Sequence, residues 1–544
     1  MPIKICSKAP RWLLVLGTFT LISILLVRCG DSDSINRTSF REDREGWIFV
    51  HIEGTPRERG YQYGTLVAQE IDDFITVLKV YLEHNTKKDW NFFREAAKTI
   101  FLPKLEAEYL EAEYLEEIEG IAAGVQAKGF NYDALDIITQ NSYFELSDYY
   151  LPSIGYVVDD GTSHRGRISP PLKCSAFIAT GDWTKDGNIV MGHNSWDDYI
   201  MGQRWNVILD IHPTNGNRLL MQTAPGFICS GTDFYVNSSG IVITETTIGN
   251  FKGFDVNGLP EFMRARKAAQ YSNTLDDFVT IMSTGNNGGY ANSWLFGDIK
   301  TGEIGKLELG LINVTFYRSS NGFYDGENYV DDSKMIRDEC GPTLWITSED
   351  WPFELTNANC VTARRLRWYA LMEQYKGQID ADLAMSFEAD QFEQALGKIN
   401  PGGFVLMARM EITDRPEIPG VAAPRPFGAN EAKVITADLA RQMSFWARMG
   451  HPDGSPFTWE PFFAEYPEFA WQAPYLKDLE TNEWALFSSD GATFSSMNMV
   501  REVGLPPPIP HSLQIEGYVI DSITSDERED VVRYVLKRDS GSDR

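Results

Sequence analysis

The chain has 544 residues, and 77 acidic against 49 basic residues give it a formal net charge of −28. This excess of negative charge argues against a general nucleic-acid binder, which needs a basic surface to neutralise phosphates. Apolar residues make up 43% of the composition and charged residues 23%, a balance that is typical of a folded chain and excludes a disordered or fibrous one.

Residues 1–29 are predicted to be an export signal. Basic residues precede an apolar run from Trp12 to Val27, which is shorter than the roughly 18 residues expected of a spanning helix. Leu26–Cys29 resembles a bacterial lipobox, in which Cys29 would carry a lipid, although Arg28 replaces the usual small residue; simple cleavage is the alternative. The expected location is periplasmic or at the cell surface, with a possible N-terminal membrane tether, or otherwise secreted or lysosome-like. Residues 30–46 are then expected to form an exposed linker.

Residues 47–173 are predicted to form a mainly helical fragment. An alternating, β-rich strand over 47–53 leads into a helix over 57–83, which begins with Thr55 as N-cap and Pro56 in the first turn.

Further helices are predicted over 92–126 and 133–146, and the Glu-rich stretch 106–119 is interpreted as a solvated surface. Residues 159–173 lack periodicity and are rich in Gly, Ser, Pro and Arg, which predicts an exposed loop open to cleavage.

From residue 174 the pattern changes to short strands separated by turns. A turn at 185–188 predicts a hairpin between CSAFIATG and IVMGHNSW, and an antiparallel meander follows. Helices over 260–271 and 275–283 precede strands in ANSWLFGDI and IGKLELGL. Strands followed by helices and again by strands favour an α+β layered domain. Additional helices are predicted over 362–374 and 433–449, and the stretch 456–474 is interpreted as a wrapping loop.

The sequence lacks several common catalytic motifs. No GxSxG elbow, phosphate-binding GxxxxGK[ST] loop, HExxH or CxxC is present, so a serine hydrolase of that type, a nucleotide enzyme and a zinc enzyme are disfavoured. We therefore expect neither a cofactor nor a metal. Cys340 and Cys360 are close enough in sequence to form one disulfide, and two separate buried thiols are an equal alternative.

Four segments together resemble the phospholipase B-like family: GTPRERGYQYG (54–64), CSAF from Cys174, GHNSW from Gly192 and ANSW from Ala291. The first is also similar to a motif of the isopenicillin-N acyltransferase group of N-terminal-nucleophile hydrolases. The resemblance implies a four-layer αββα sandwich of two stacked antiparallel sheets. It also implies self-cleavage between Lys173 and Cys174, so that fragments 47–173 and 174–544 together form the domain.

The resemblance makes Cys174 the nucleophile. After cleavage its free α-amino group, with an ordinary pKa of roughly 7.7–8.0, is suited to act as the general base. One residue then supplies both nucleophile and base, which accounts for the missing Ser-His-Asp constellation. Asn292 is the candidate donor to the oxyanion. His193 would orient the nucleophile or its amine, and Asn194 would hold the backbone around it.

Other candidates have weaker patterns. Asp197 is a candidate acidic partner of the new α-ammonium. Thr246, or its neighbour Thr247, lies where the family places a hydroxyl close to the nucleophile. Trp196 and Trp294 are candidates for lining an acyl pocket, with a core position as the alternative for both.

The expected function is hydrolysis of acyl ester or amide bonds in a small acylated or lipid-derived substrate through a Cys174 thioester. The alternatives are an acyltransferase or amidase of the isopenicillin-N acyltransferase type and a non-catalytic surface binding protein on the same fold. Neither the oligomeric state nor the acyl chain follows from the sequence.

Overall fold

The computed structural model describes residues 39–538, except for 107–112, 157–173, 233, 341–352, 355–359, 395–396, 414–423, 481, 492–495, 498–517 and 527–530. The predicted export signal, the lipobox and the loop ending at Lys173 therefore lie outside the described residues. None of the described helices combines the length and apolarity needed to cross a bilayer.

The strands of the described chain are β1 (Phe40–Arg44), β2 (Trp47–Gly54), β3 (Ser175–Thr180), β4 (Val190–Asp198), β5 (Val207–Pro213), β6 (Leu219–Thr223), β7 (Phe234–Asn237), β8 (Ile241–Thr247), β9 (Asn292–Asp298), β10 (Glu303–Leu309), β11 (Val314–Ser319), β12 (Gly322–Gly326), β13 (Phe353–Glu354), β14 (Phe392–Glu393), β15 (Lys398–Ile399), β16 (Phe427–Thr436), β17 (Ser444–Met449), β18 (Trp484–Ser488), β19 (Ser496–Met497), β20 (Tyr518–Asp526) and β21 (Val531–Arg538).

The α-helices of the described chain are α1 (Pro56–Leu66), α2 (Ala68–Thr86), α3 (Trp90–Ile100), α4 (Leu102–Leu105), α5 (Glu113–Ala127), α6 (Ala134–Asn141), α7 (Leu151–Ser153), α8 (Tyr199–Gly202), α9 (Glu261–Tyr271), α10 (Leu275–Ser283), α11 (Ser333–Met335), α12 (Cys360–Gln374), α13 (Ala381–Glu388), α14 (Ala437–Arg441) and α15 (Trp459–Glu465). The π-helical turns are Glu145–Tyr150 and Ile336–Cys340, and the 3₁₀ turns are Gly181–Trp183, Met410–Ile412, Pro467–Gln472 and Ser489–Gly491.

Two large sheets organise the described chain. The first has the order β1-β2-β5-β6-β7-β8-β9-β10-β11, and the second has the order β12-β3-β4-β16-β17-β18-β19. Neighbouring strands are antiparallel, as predicted, except that β2 pairs with β5 in parallel. The predicted hairpin is confirmed as β3 and β4, and the predicted meander as β5 to β8.

The sheets stack face to face and carry helices on their outer faces. Between them, Phe49 and Leu295 of the first sheet share a core with Ile178 of the second. The α2 helix packs on the outer face of the first sheet, while α12 and α13 cover the outer face of the second. These four layers confirm the predicted α+β αββα sandwich.

The segment 54–64 has a packing role in helix pairing. The predicted helix over 57–83 begins where expected, with Thr55 N donating to Glu58 Oε2 at 2.9 Å, but it breaks at Val67 into α1 and α2. A Cβ built on Gly60 would lie 2.1 Å from the Glu117 carbonyl oxygen of α5. Only glycine therefore allows α1 to approach α5 this closely.

The prediction of a helix over 433–449 is wrong. This segment contains the end of β16, the short helix α14, and β17. Lys433 and Ile435 face the first sheet while Ala432 and Val434 face the outer helices, so the side chains alternate with the period of a strand. Pairing on both sides, with β4 and with β17, decides the conformation.

The prediction that 106–119 is a solvated surface holds for Glu106 and Glu116, which are exposed, but is wrong for Glu117. Glu117 is 1% exposed; its Oε2 lies 2.6 Å from Arg59 Nη2, and its Oε1 lies 3.0 Å from Arg266 Nη1. Buried charges of this kind persist because they are paired.

Three further predictions are corrected in detail. The single helix expected over 92–126 is divided among α3, α4 and α5. The helix expected over 133–146 ends at Asn141, before a π-helical turn. The loop expected over 456–474 contains α15 and a 3₁₀ turn.

Candidate active site

Cys174 lies directly before β3, at the point where the described chain resumes after residue 173. Cys174 is 3% exposed, and its φ angle is +53°. A positive φ is uncommon for a residue with a Cβ, and such strained positions cluster at functional sites. The adjacent Lys173 lies outside the described residues.

A buried arginine holds the backbone of Cys174. Arg364, from α12, donates through Nη1 to the Cys174 carbonyl oxygen at 2.6 Å. Its Nη2 donates to the Glu327 carbonyl oxygen at 2.6 Å and to Asn328 Oδ1 at 2.8 Å. The guanidinium also lies 4.4 Å from the centre of the Trp196 ring. Because several charge-assisted bonds fix it, Arg364 is a rigid support for the start of β3.

Asn328 extends this support to the first sheet. Its Nδ2 donates to the Thr247 carbonyl oxygen at 2.7 Å, and its own carbonyl accepts from Gly249 N at 3.2 Å. Thr247 is the register partner of Asn292 across β8 and β9. The Cys174 backbone is thus connected through Arg364 and Asn328 to the strand ends that carry two of the predicted site residues.

Thr246 lies against the strand that flanks β3. Gly326 pairs with Ala176, and a Cβ built on Gly326 would lie 2.8 Å from both Thr246 Cγ2 and Oγ1. The missing side chain at 326 therefore makes room for Thr246 between the sheets. The Thr246 hydroxyl is buried and has no hydrogen-bond partner among the described residues. It is an available polar group near Cys174, because Gly326, which Thr246 contacts, pairs with Ala176, two residues after Cys174.

The space between the sheets contains a polar cluster, here called the inter-sheet cluster, formed by His193, Ser195, Gln222, Glu431 and Lys433. Lys433 Nζ donates to Glu431 Oε1 at 2.5 Å, to Gln222 Oε1 at 3.2 Å and to Ser195 Oγ at 3.3 Å. All five side chains are buried, and Gln222 comes from the first sheet while the others come from the second.

Burial and one cation set the charge of His193. Burial, with the neighbouring Lys433 ammonium, lowers the pKa of His193 well below its usual range, so the imidazole is neutral. Neither ring nitrogen makes a hydrogen bond within the described residues, although the Glu245 backbone lies nearby. Burial also raises the pKa of Glu431, against the opposing effect of Lys433. His193 lies opposite Ala176 in the register of β3 and β4. Its neutral imidazole can therefore donate or accept one hydrogen bond near the start of β3.

Asn292 belongs to a hydrogen-bonded group on the outer side of the first sheet. In the amide orientation that satisfies both bonds, its Nδ2 donates to Glu245 Oε2 at 2.9 Å and to the Ala291 carbonyl oxygen at 3.0 Å. Tyr290 OH donates to Glu245 Oε1 at 3.1 Å. Both amide hydrogens of Asn292 are engaged in this arrangement, so donation to an oxyanion stays a prediction that requires one bond to be exchanged.

Asn194 and Trp196 lie on the outer face of β4. Asn194 Nδ2 donates to Glu388 Oε2 at 2.7 Å and to the Leu406 carbonyl at 3.1 Å, and Trp196 Nε1 donates to Asn194 Oδ1 at 2.7 Å. These contacts join Asn194 to Glu388 and to the Leu406 carbonyl rather than to the backbone around Cys174, so its predicted role there stays a prediction. Trp196 is 1% exposed and packs in a separate core with Met407, so its position favours the core alternative.

Asp197 and Trp294 are also buried. Asp197 is 3% exposed, accepts from Asp198 N at 2.8 Å, and contributes to the raised pKa of Tyr143, whose main cause is burial. Trp294 packs edge-on against Phe278 with ring centres 5.7 Å apart. The structure therefore groups Cys174, His193 and Thr246 around the space between the sheets, while Asn194, Trp196 and Trp294 face the outer layers.

Sequence reasoning missed the polar partners that the structure adds. Arg364 and Lys433 lie in segments with no catalytic motif, and each reaches a predicted site residue only through the fold. Glu245 directly precedes Thr246, but nothing in the sequence pairs it with Asn292. These residues could have been found only as ionisable residues within apolar runs of the sequence, as in the alternating segment around Lys433, because such residues are seldom buried without a partner. Among the described residues, three metal-ligating side chains converge elsewhere, at His51, Asp210 and His212.

Comparison with known proteins yields one family and several relatives. The family model described as Phospholipase B matches residues 60–382. Phospholipase B-like protein A of Dictyostelium discoideum is 23% identical over 357 residues, covering 59% of this chain and 61% of its own length. Human Phospholipase B-like 1 is 30% identical over 219 residues, covering 37% of this chain and 38% of its own length.

An uncharacterized protein of Archaeoglobus fulgidus is 27% identical over 273 residues, which cover 48% of this chain and 43% of that protein. In each of these comparisons the chain spans less than two thirds of the relative's length.

Proposed function

The chain belongs to the phospholipase B family, and on this premise we propose that it is a hydrolase of acyl ester or amide bonds in lipid-derived substrates, with Cys174 as the nucleophile. The observation that carries the proposal is the position of Cys174 directly before β3 of the second sheet. Cys174 has a positive φ angle there, and a buried arginine holds its backbone. Export from the cytoplasm, as predicted from residues 1–29, is part of the same proposal.

The first step is activation by cleavage of the Lys173–Cys174 bond. The Cys174 sulfur attacks the Lys173 carbonyl carbon, and the peptide nitrogen leaves as the α-amino group of Cys174. Water then hydrolyses the resulting thioester, which frees the Lys173 carboxylate and the thiol. A positive φ costs of order 1–3 kcal/mol, and cleavage removes this strain because φ ceases to exist once the preceding carbonyl carbon has left.

The mature site then uses one residue as nucleophile and base. The α-amino group accepts the thiol proton, and the sulfur attacks the acyl carbonyl carbon of the substrate. When the tetrahedral intermediate collapses, the ammonium returns the proton to the leaving alcohol or amine. Water, deprotonated by the same amine, resolves the thioester and releases the acid. The Thr246 hydroxyl is the proposed donor to the developing oxyanion, and Asn292 joins it only if one of its two amide bonds, to Glu245 or to the Ala291 carbonyl, is exchanged.

The surrounding charges support this chemistry. Arg364 places a cation beside the Cys174 carbonyl oxygen, and a nearby cation lowers the pKa of an amine and favours a thiolate. His193, whose pKa is lowered mainly by burial, is neutral in the space between the sheets. Arg364 therefore disfavours the protonated form of the amine, which is the form that cannot act as a base.

The decisive experiment is intact-mass analysis and N-terminal sequencing of purified wild type beside Cys174→Ala. We expect a wild-type fragment that begins Cys-Ser-Ala-Phe and an intact Cys174→Ala chain. Cys229→Ala is the matched control, because Cys229 is a buried cysteine whose contact with Thr223 uses only its carbonyl. An uncut wild-type chain at neutral and acidic pH contradicts the proposal and favours a binding protein.

Substrate assays follow on the cleaved enzyme. A phospholipid, a lysophospholipid and an N-acyl amino acid are each incubated with wild type and Cys174→Ala, and free fatty acid is measured. Adding a primary amine acceptor distinguishes transfer from hydrolysis, since an acyltransferase forms the new amide while a hydrolase releases free acid. Loss of all acyl release in Cys174→Ala is expected, and equal release by both proteins refutes Cys174 as nucleophile.

A further inference from the structure

Two histidines and an aspartate converge at one end of the space between the sheets. His51 on β2 is the register partner of Asp210 on β5, and His51 Nδ1 lies 2.6 Å from Asp210 Oδ2. His212 Nε2 lies 3.4 Å from Asp210 Oδ1. One ligand atom from each of the three residues lies within 4.8 Å of the others.

This group is remote from Cys174. Ile211 aligns through β6 and β7 with Ile241 at the start of β8, whereas Thr246, near Gly326 and Ala176, lies at the other end of β8. Five residues of strand separate the two positions, or about 17 Å at 3.3–3.4 Å per residue. The reaction proposed for Cys174 therefore has no role for these side chains.

We propose that His51, Asp210 and His212 form a divalent metal site, suited best to Zn²⁺. Two imidazoles and one carboxylate are a common donor set for this ion, which binds them at about 2.0–2.2 Å. Tetrahedral neighbours at that bond length are about 3.3 Å apart, close to the 3.4 Å between Asp210 and His212. His51 Nδ1 lies 2.6 Å from the other carboxylate oxygen, Asp210 Oδ2, so binding requires this hydrogen bond to be broken and the two atoms to separate by about 0.7 Å.

The surroundings already orient the three ligands. Asp210 is fully buried and accepts from Ser489 Oγ at 2.7 Å. The His51 ring stacks on Phe40 with centroids 5.2 Å apart, and its Nε2 lies 3.9 Å from Glu53 Oε2. A metal-bound histidine commonly directs its second nitrogen at a carboxylate, which fixes the tautomer. The Glu53 carboxylate is thus near His51 Nε2 but beyond hydrogen-bond distance, and it would have to move closer to orient a metal-bound ring.

The site also joins the two sheets. His51, Asp210 and His212 belong to the first sheet, while Ser489 follows β18 of the second. Ser489 Oγ lies 3.0 Å from His212 Nε2 and 2.7 Å from Asp210 Oδ1, so its hydroxyl contacts two of the three proposed ligands. A bound ion would tie Ser489 and the edge of the second sheet to β2 and β5, and it would stabilise the folded state by mass action.

The test uses the full-length chain without an affinity tag, after treatment with a chelator. Zn²⁺ binding is measured by calorimetry and by metal analysis after dialysis, in the Cys174→Ala background so that the Cys174 thiol contributes nothing. We expect one equivalent of Zn²⁺, a rise in Tm, and, with Co²⁺ as probe, the strong visible absorption of a tetrahedral complex. His212→Gln and Asp210→Asn should each weaken binding at least about tenfold.

His84→Ala is the matched control, because His84 stacks on Trp471 and is not among these ligands. It should bind Zn²⁺ as the parent does. Failure of the parent to bind one equivalent, or unchanged binding in His212→Gln, overturns the proposal. His212 is only half-buried, so its variant decides the question if Asp210→Asn does not fold. Neither result bears on cleavage at Cys174.

Discussion

Replacing Glu145 by glutamine should remove a pH-dependent loss of stability. Glu145 belongs to the π-helical turn beneath the loop that leads to Asn292, and it is 2% exposed. Its carboxylate accepts from Glu261 N at 2.9 Å and from Asn287 Nδ2. Burial, opposed by these bonds, raises its pKa from 4.5 to about 7.

The size and sign of the effect follow from this shift. The unfolded chain releases the Glu145 proton near pH 4.5, whereas the folded protein holds it until about pH 7. The stabilising difference is complete below pH 4.5 and is lost as the pH rises to about 7. A shift of about 2.5 pKa units corresponds to about 3 kcal/mol of unfolding free energy. Glutamine resembles the protonated form and does not titrate.

Urea unfolding of wild type and Glu145→Gln across about pH 4.5–8 measures the effect. We expect the stability of wild type to fall by up to about 3 kcal/mol more than that of the variant between about pH 4.5 and pH 8. A constant offset between the two proteins is expected at every pH, because the glutamine Nε2 cannot accept one of the two bonds. Glu95→Gln is the control, because the Glu95 side chain is 70% exposed. Parallel pH profiles for wild type and Glu145→Gln would refute the reasoning.

Two further predictions concern the supports of Cys174. Arg364→Lys keeps the charge but loses the planar set of donors, so cleavage before Cys174 should slow at least about tenfold; gel analysis of freshly refolded protein measures the rate, and wild-type cleavage would contradict this role. Gly326→Ala should destabilise by about 1–3 kcal/mol through its clash with Thr246. Thr246→Ala should restore part of that loss, and Gly322→Ala on the same strand, where a Cβ meets only Ser319, should cost less in the same unfolding assay.

Local patterns predicted the elements whose conformation depends on neighbours in the chain. The hairpin of β3 and β4 forms around the predicted Asp-Gly turn, because a turn needs only the residues within it. The α1 helix begins at the predicted cap for the same reason. The motif order around Cys174, Gly192 and Ala291 was sufficient to identify the family, which the match over residues 60–382 confirms.

Long-range pairing explains the errors. The segment around Lys433 has enough helix-favouring residues to read as a helix, yet it is a central strand because β4 and β17 supply its hydrogen bonds. Glu117 belongs to an acidic stretch that predicts exposure, yet it is buried and forms ion pairs with Arg59 and Arg266. In both cases the deciding partners are far away in sequence, and tertiary packing overrides local propensity.

The sequence by itself determined the acidic character of the chain, the α+β class, the position of Cys174 at the start of a strand and the family. These depend on composition, on short-range periodicity and on motif order. Only the tertiary structure decided that Arg364 holds the Cys174 carbonyl, that Lys433 lies beside His193, and that His51 meets Asp210 and His212. Such contacts arise when strands distant in the chain are placed in register, because the register sets which side chains share the space between the sheets.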